Sequence, residues 1–292
     1  FFQNLYLNFI LVKNIFKDKI PSKMITKFNK FFSFLRVIFK QPSLINLVLN
    51  NNIVNKEKFL QKYPNIISLP QIDLKDLQKN TSPDKVESFL LDGSSLVLDL
   101  QLLITLASRE NIKNYIEIGT WRGESVHNVA KYVEDCSTIN LSAKEITALG
   151  LSEKYANQHG ILSKKNPAIH HIEANTKTFK FESLQKKFDL IFIDGDHTYE
   201  MVLNDTKKVF ENLVHKNSIV VWHDYAYSPQ KLRYEVFMAI LDGVGKENQA
   251  YLYHPKNTMC AIFTKEKLSS TVFDEMEFPK KIYEIDIKEK TF

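Results

Sequence analysis

At 292 residues, with 44% apolar and 25% charged composition, the chain is long enough for one α/β domain with extensions and can bury a sizeable core. Its net charge of +5 is no nucleic-acid signal: residues 1–40 hold eight Lys or Arg against one acid, Asp18, so the rest of the chain is slightly acidic. Two cysteines, Cys136 and Cys260, exclude a disulfide framework and fit a reducing, cytoplasmic setting.

Residues 1–16 are apolar but too short for a membrane span, and they are interrupted by Gln3, Asn4, Asn8, Lys13 and Asn14. They lack the basic start and small-residue cleavage site of a signal peptide. Met24 is a candidate natural start. Phe28, Phe31, Phe32, Leu35, Ile38 and Phe39 then recur at helical spacing, punctuated by Lys27, Lys30, Arg36 and Lys40 and closed by Pro42. Such a basic aromatic helix docks on the main domain or on a second subunit, giving a homo-oligomer. Alternatively, residues 25–40 make a peripheral contact with the anionic inner surface of a membrane. Residues 50–83, with Pro64, Pro70 and Pro83, read as a linker with short helical pieces. Residues 1–95 are thus a helical N-terminal extension.

Residues 96–265 alternate strand and helix. Helices are expected over 96–108, 123–132, 143–159, 199–214 and 232–241. Strands are expected over 115–118, 137–141, 169–173, 189–193 and 218–222, with a terminal strand pair at 250–253 and 259–264. Continuous apolar strands separated by helices mean a doubly wound α/β fold, a mostly parallel sheet covered on both faces. The remaining tail, 266–292, ends in an alternating Ile282-Tyr283-Glu284-Ile285-Asp286-Ile287 pattern that suggests an added edge strand.

In doubly wound sheets ligands bind beyond the carboxyl ends of the strands. The first such end is Tyr115-Ile116-Glu117-Ile118-Gly119-Thr120-Trp121-Arg122-Gly123-Glu124-Ser125. Only eight glycines occur in the chain, and two of them fall here, where backbone must approach a ligand closely. Asn140 ends the second strand and Asn175 follows the third. The fourth runs into Asp194-Gly195-Asp196-His197 and the fifth into His223-Asp224. Carboxylates and imidazoles at buried strand ends are costly unless paired or coordinated. Asp196 can instead cap the following helix. Asp194, His223 and Asp224 can converge on one divalent cation or one substrate proton, or form a metal-free polar cluster.

These segments, with Phe188-Asp189-Leu190-Ile191-Phe192-Ile193 before Asp194 and Val220-Val221-Trp222 before His223, resemble the class I S-adenosylmethionine-dependent methyltransferases, closest to the bacterial small-molecule O-methyltransferase-like family. The similarity covers residues 95–265. It implies a Rossmann-like seven-stranded sheet with the last strand antiparallel. It also implies that S-adenosylmethionine is held by Glu117, Gly119, Thr120, Gly123, Asn140, Asn175 and Asp194. Asp194, His223 and Asp224 would be metal ligands for Mg2+ or a similar ion, and His197, His223 and Asp224 the catalytic groups. Trp121 departs from the commoner glycine pattern, Asn140 lacks the charge of the usual ribose-binding acid, and Tyr225 stands where metal-dependent relatives carry Asn.

The implied reaction is methyl transfer to a hydroxyl of a small molecule, with a sugar or glycoside preferred as acceptor. His197 or His223 is the candidate base. Tyr225, Tyr227 and His254 are candidate acceptor-pocket residues. The competing readings are a non-catalytic methyltransferase-fold scaffold at a membrane surface and a metal-dependent hydroxylase on the same fold.

Overall fold

A computed structural model describes residues 22–45, 51–78 and 85–291. The apolar start at 1–16 lies outside them. The chain divides into two units, Phe1–Glu57 and Lys58–Phe292. In the first, helix α1 spans Ser22–Lys40, with Phe28, Phe31, Phe34 and Phe39 exposed. Among the described residues no helix is long and apolar enough to cross a membrane. Helix α2 (Asn52–Lys62) follows and runs into the second unit.

The second unit continues with β1 (Gln71–Ile72), α3 (Leu74–Leu77), α4 (Val97–Ala107), β2 (Asn114–Ile118), α5 (Glu124–Val129) and β3 (Asp135–Asn140). Then come α6 (Ala143–Ala148), α7 (Glu153–Ala156), β4 (Ile169–Glu173), β5 (Leu190–Ile193), α8 (Tyr199–Asn212) and β6 (Ile219–Trp222). A small hairpin, β7 (Ala226–Ser228) and β8 (Lys231–Leu232), leads to α9 (Tyr234–Val244), β9 (Leu252–Pro255) and β10 (Ala261–Phe263).

The main sheet has the order β1-β9-β10-β6-β5-β2-β3-β4. Only β10 runs against its neighbours, antiparallel to both β6 and β9. Successive residues of the central strands feed opposite faces. Ile191, Ile193, Val220 and Trp222 enter one core; Leu190, Phe192, Ile219 and Val221 enter the other. Because both faces are covered by helices, both sets are apolar, which is why these strands read as unbroken apolar runs.

The doubly wound α/β class is therefore observed, with eight strands in the main sheet among the described residues in place of seven. The extra strand, β1, comes from the stretch that reads as linker. Phe59, Leu69, Ile72 and Leu77 of that stretch are buried, and the Arg109 guanidinium donates to the Leu77 carbonyl from Nε and Nη2 at 3.0 and 2.6 Å. The compact unit accordingly starts at Lys58, not near residue 96. A two-residue strand is too short to show any periodicity.

Among the described residues the tail adds no edge strand. Gln71 and Thr271 exchange two backbone hydrogen bonds of 2.8 Å, and pairing stops there. Ile282, Ile285 and Ile287 are exposed. The tail is tied down by charge pairs instead, Lys281 to Asp73 at 2.7 Å and Lys256 to Glu277 at 3.2 Å. The single helix expected over 143–159 is split into α6 and α7 by a turn at Gly150.

Candidate functional site

The chain lays β2, β3 and β4 outward in one direction, then returns to place β5 beside β2. That reversal opens a crevice at the carboxyl ends of β2 and β5. The ladder runs one residue past each strand: Gly119 N–H donates to Ile139 O at 2.9 Å, Asp194 N–H to Ile118 O at 2.8 Å, and His223 N–H to Ile193 O at 3.0 Å. Gly119, Asp194 and His223 are thereby fixed side by side by backbone alone.

Gly119 has φ +92°, and a Cβ on it would lie 2.0 Å from the Asp194 carbonyl oxygen. Only glycine fits, so β2 can deliver its turn directly against the end of β5. Two non-glycine residues at this end also take left-handed backbone, Trp121 (φ 41°) and Asp224 (φ 56°). Such strain costs about 1–3 kcal/mol per residue and clusters at functional sites. Trp121 is held by packing: its ring meets Tyr155 at 4.7 Å and His159 at 5.1 Å, and the Arg122 guanidinium lies over it at 4.8 Å. The bulky residue in the glycine pattern therefore props the neighbouring segment.

Glu117 is fully buried. Tyr115 Oη donates to its Oε2 at 2.7 Å, while Oε1 has no hydrogen-bond partner. Burial pushes the Glu117 carboxyl up to about 8, against the pull of the Ser125 and Tyr115 hydroxyls. A buried carboxyl with one oxygen unpaired, directly under the glycine turn, is costly until a partner reaches it.

Beside it stands the acidic cluster. His223 Nδ1 lies 3.0 Å from Asp224 Oδ2 and 3.3 Å from Asp194 Oδ1, and its Nε2 lies 3.1 Å from Asp99 Oδ2. Burial alone would lower the His223 pKa, but the carboxylates of Asp194, Asp224 and Asp99 outweigh it and hold the ring well above the ordinary histidine range. Burial would raise Asp224; His223, His197 and Arg233 overcome this and lower it to about 2. His197 Nδ1 sits 3.1 Å from Asp224 Oδ2, and this side chain is 40% exposed. Of the two imidazoles, His197 alone faces solvent and can trade a proton with a ligand; His223 is a buried hub.

Asp194, His223 and Asp224 each offer one ligand atom within 4.8 Å of the others. Two carboxylates and an imidazole whose far nitrogen rests on Asp99 match a divalent-cation donor set only once His223 Nδ1 gives up its proton, because the protonated ring has no lone pair to offer. Cys260 also lies near Asp99 and His223. Burial raises its thiol well above the ordinary range, so it is a poor ligand, as its apolar sequence context suggests.

Other expected residues fall into separate groups. Asn140 and Asn175 lie at the ends of β3 and β4, away from the acidic cluster. Asn140 Nδ2 donates to Leu141 O at 2.9 Å, and Asn175 Oδ1 accepts from Lys177 N–H at 3.0 Å within its own turn. Thr120 Oγ1 and Thr138 Oγ1 share a hydrogen bond of 2.6 Å. Gly123 precedes α5 at φ +83°. Asp196 accepts from Thr198 N–H at 2.7 Å and shapes the entry to α8. Tyr225 and His254 belong to the core: both are fully buried, Tyr225 Oη accepts from Leu69 N–H at 3.1 Å, and His254 Nε2 donates to Thr258 O at 3.1 Å. Of the expected acceptor-pocket aromatics only Tyr227 is exposed.

Asp99 and Arg233 are site residues that sequence reading passes over. Asp99 is the only charge in the helix sequence Val-Leu-Asp-Leu-Gln-Leu-Leu-Ile-Thr-Leu-Ala. A lone acid in an apolar helix demands a buried partner, and that signal could have found it.

Residues 116–225 match the family model described as a methyltransferase domain. Over 147 residues the chain is 26% identical to an uncharacterized protein of Acanthamoeba polyphaga mimivirus, covering 47% of this chain and 65% of that protein. The chain thus spans just under two thirds of that relative's length. Among solved structures it is similar to the SAH-bound methyltransferase PaMTH1 of Podospora anserina, at 21% identity over 46% of this chain and 55% of that one, TM-score 0.36. It is also similar to an O-methyltransferase of Bacillus cereus in complex with SAH, at 14% identity over 60% of this chain and 84% of that one, TM-score 0.41.

Proposed function

We propose, from the premise that residues 116–225 are a methyltransferase domain, that this chain transfers a methyl group from S-adenosylmethionine to a hydroxyl of a small molecule. The observation that carries this reading is the meeting of Gly119 and Asp194 at the switch point, with the unpaired Glu117 Oε1 beneath. These residues fit the cofactor: Gly119 lets β2 turn directly against the Asp194–Gly195 backbone, where no side chain would fit, and Glu117 Oε1 lacks a partner that a ligand hydroxyl would supply. Glu117, Gly119, Thr120, Gly123 and Asp194 would hold it, with Asn140 and Asn175 further along the strand ends. When bound, the sulfonium supplies an electrophilic methyl carbon.

The protein's part is alignment and proton removal. Alignment of nucleophile and methyl carbon can supply several kcal/mol. His197, oriented through Nδ1 by Asp224, is the group placed to take a hydroxyl proton. His223 acts through the others: buried among Asp99, Asp194 and Asp224, it fixes both site carboxylates. Asp194, His223 and Asp224 would also hold a divalent cation such as Mg2+, which orients a hydroxyl and eases its ionisation. A sugar or glycoside remains our preferred acceptor class.

The test is calorimetry of the full chain with S-adenosylhomocysteine, followed by methyl transfer to a panel of hydroxyl acceptors. Micromolar binding and transfer that falls at least about tenfold in Asp224→Asn support the reading. Absence of binding at millimolar ligand overturns it in favour of a scaffold role.

A further inference from the structure

Helix α1 has no part in the chemistry above, and its charge is of one sign. Over Ser22–Lys40 it carries no acid, and Lys27, Lys30, Arg36 and Lys40 are all exposed. The bias extends past the helix: between Asp18 and Glu57 the sequence holds seven Lys or Arg and no acid. At 3.6 residues per turn, Phe28, Phe31, Phe34, Leu35, Ile38 and Phe39 fall within an arc of about 140°. The four phenylalanines are 41–62% exposed. Lys30, Arg36 and Lys40 lie outside that arc, with Asn29 and Ser33. Lys27 falls inside it, where its four-carbon stem can follow the rings and carry the ammonium outward.

A contiguous exposed aromatic face marks a contact. Charge decides with what. The tail shows that exposure alone does not: Val272, Met276, Phe278 and Ile282 are 83–97% exposed, yet residues 266–292 carry seven acids against five Lys. An anionic layer would repel that segment. Helix α1 combines apolar exposure with cations only. A second copy of α1 is a poor occupant, because two such helices packed along the arc would bring their flanking cations together with no acid to pair them. The helix is also too polar to cross a bilayer. A helix that is aromatic on one side and basic on the other suits the boundary between anionic headgroups and acyl chains. There the rings leave water, the cations meet lipid anions, and the backbone stays internally hydrogen-bonded.

We propose that α1 lies flat in the surface of an anionic lipid bilayer, with Phe31 and Phe34 at the acyl boundary and Lys27, Lys30, Arg36 and Lys40 among the headgroups. The interaction belongs to this helix and is independent of the S-adenosylmethionine reading.

The test is flotation of the full chain with vesicles of phosphatidylcholine alone or with about 30% phosphatidylserine added. At about 0.1 M salt the chain should bind the anionic vesicles at least about tenfold more tightly than the neutral ones, and about 0.5 M salt should release most of it. Lys30→Gln combined with Arg36→Gln should weaken binding about 25-fold, roughly fivefold per charge. Phe31→Ser combined with Phe34→Ser should weaken it at least about tenfold. Phe34→Trp reports depth: its added emission should be quenched by lipids brominated on the acyl chain. Equal binding to both vesicles, full binding by the Lys30/Arg36 double variant, or unquenched Phe34→Trp emission overturns the proposal. So does a wild-type dimer in sedimentation velocity that Phe31→Ser with Phe34→Ser makes monomeric, since the face then belongs to a second copy. Should that phenylalanine pair fail to fold, the charge pair and the Phe34→Trp probe decide.

Discussion

Asp99 reaches the site from a separate helix: its Oδ2 lies 3.1 Å from His223 Nε2, and both side chains are buried. The same carboxylate accepts from Leu96 N–H at 3.1 Å through Oδ2 and from Met259 N–H at 2.8 Å through Oδ1. One acid therefore ties the start of α4 and the β9–β10 connection to the hub of the acidic cluster. It also decides which nitrogen of His223 faces Asp194 and Asp224.

Removing that charge should be expensive. Breaking a buried pair by altering one partner typically costs about 3–5 kcal/mol, because the other charge is left buried and uncompensated. Asp99→Asn keeps the shape and loses the charge, so about 3 kcal/mol should disappear from urea unfolding at neutral pH. A double-mutant cycle with His223→Asn should return a coupling above about 1 kcal/mol. Additive effects in that cycle would mean that Asp99 matters only through its two backbone bonds.

Glu117 predicts a pH dependence. Its folded pKa is near 8, raised by burial from an ordinary value of 4.5. Between those values the folded state binds more protons than the unfolded chain, so stability falls as pH rises, and the loss is complete above about 8. The full effect is up to about 5 kcal/mol at 1.36 kcal/mol per unit. Glu117→Gln should therefore match the wild type near pH 5 and melt higher than it at pH 9. Parallel melting curves across that range would show that the carboxyl is ionised in the fold at neutral pH.

The legible parts of the molecule were those with regular spacing. The runs through Phe192 and Val221 reveal buried strands because both faces of the sheet are covered, and the polar residues after them mark the crevice. β1 is not legible because two residues carry no period, and the tail misleads because Tyr283, Ile285 and Ile287 alternate although, among the described residues, the tail meets the sheet only at the Gln71–Thr271 bridge. At the site, Asp194, His223 and Asp224 could be read as a group because they follow adjacent strands. Asp99 could not be joined to His223, since 124 positions separate them and only the tertiary fold brings them together. Tyr225 looked like a pocket residue because it follows Asp224, but its strained neighbour turns the chain and sends the ring into the core.

Gly119→Ala tests whether the turn tolerates any side chain. The added carbon would fall 2.0 Å from the Asp194 carbonyl oxygen, and backbone cannot yield as a flexible side chain can. The φ of +92° adds strain for any L side chain. The variant should lose at least about 2 kcal/mol in chemical unfolding and also bind S-adenosylhomocysteine at least about tenfold more weakly. A variant as stable and as tight-binding as the wild type would show that β2 and β5 can separate at no cost.

Tyr225→Phe separates a core residue from a ligand-facing one. The ring is fully buried, 5.0 Å from both Phe237 and His254, and its hydroxyl accepts from Leu69 N–H at 3.1 Å. Phenylalanine keeps the packing but orphans that buried N–H, a loss of about 1–2 kcal/mol. For a chain of this size the melting temperature should fall by about 2–6 °C. Because the hydroxyl is spent on the segment leading into β1 and none of it reaches the crevice, ligand affinity and KM for any acceptor should stay within about twofold of the wild type. The opposite pattern, an unchanged melting temperature with a several-fold rise in KM, would return Tyr225 to the acceptor pocket and mean that the Leu69 contact is formed only without substrate.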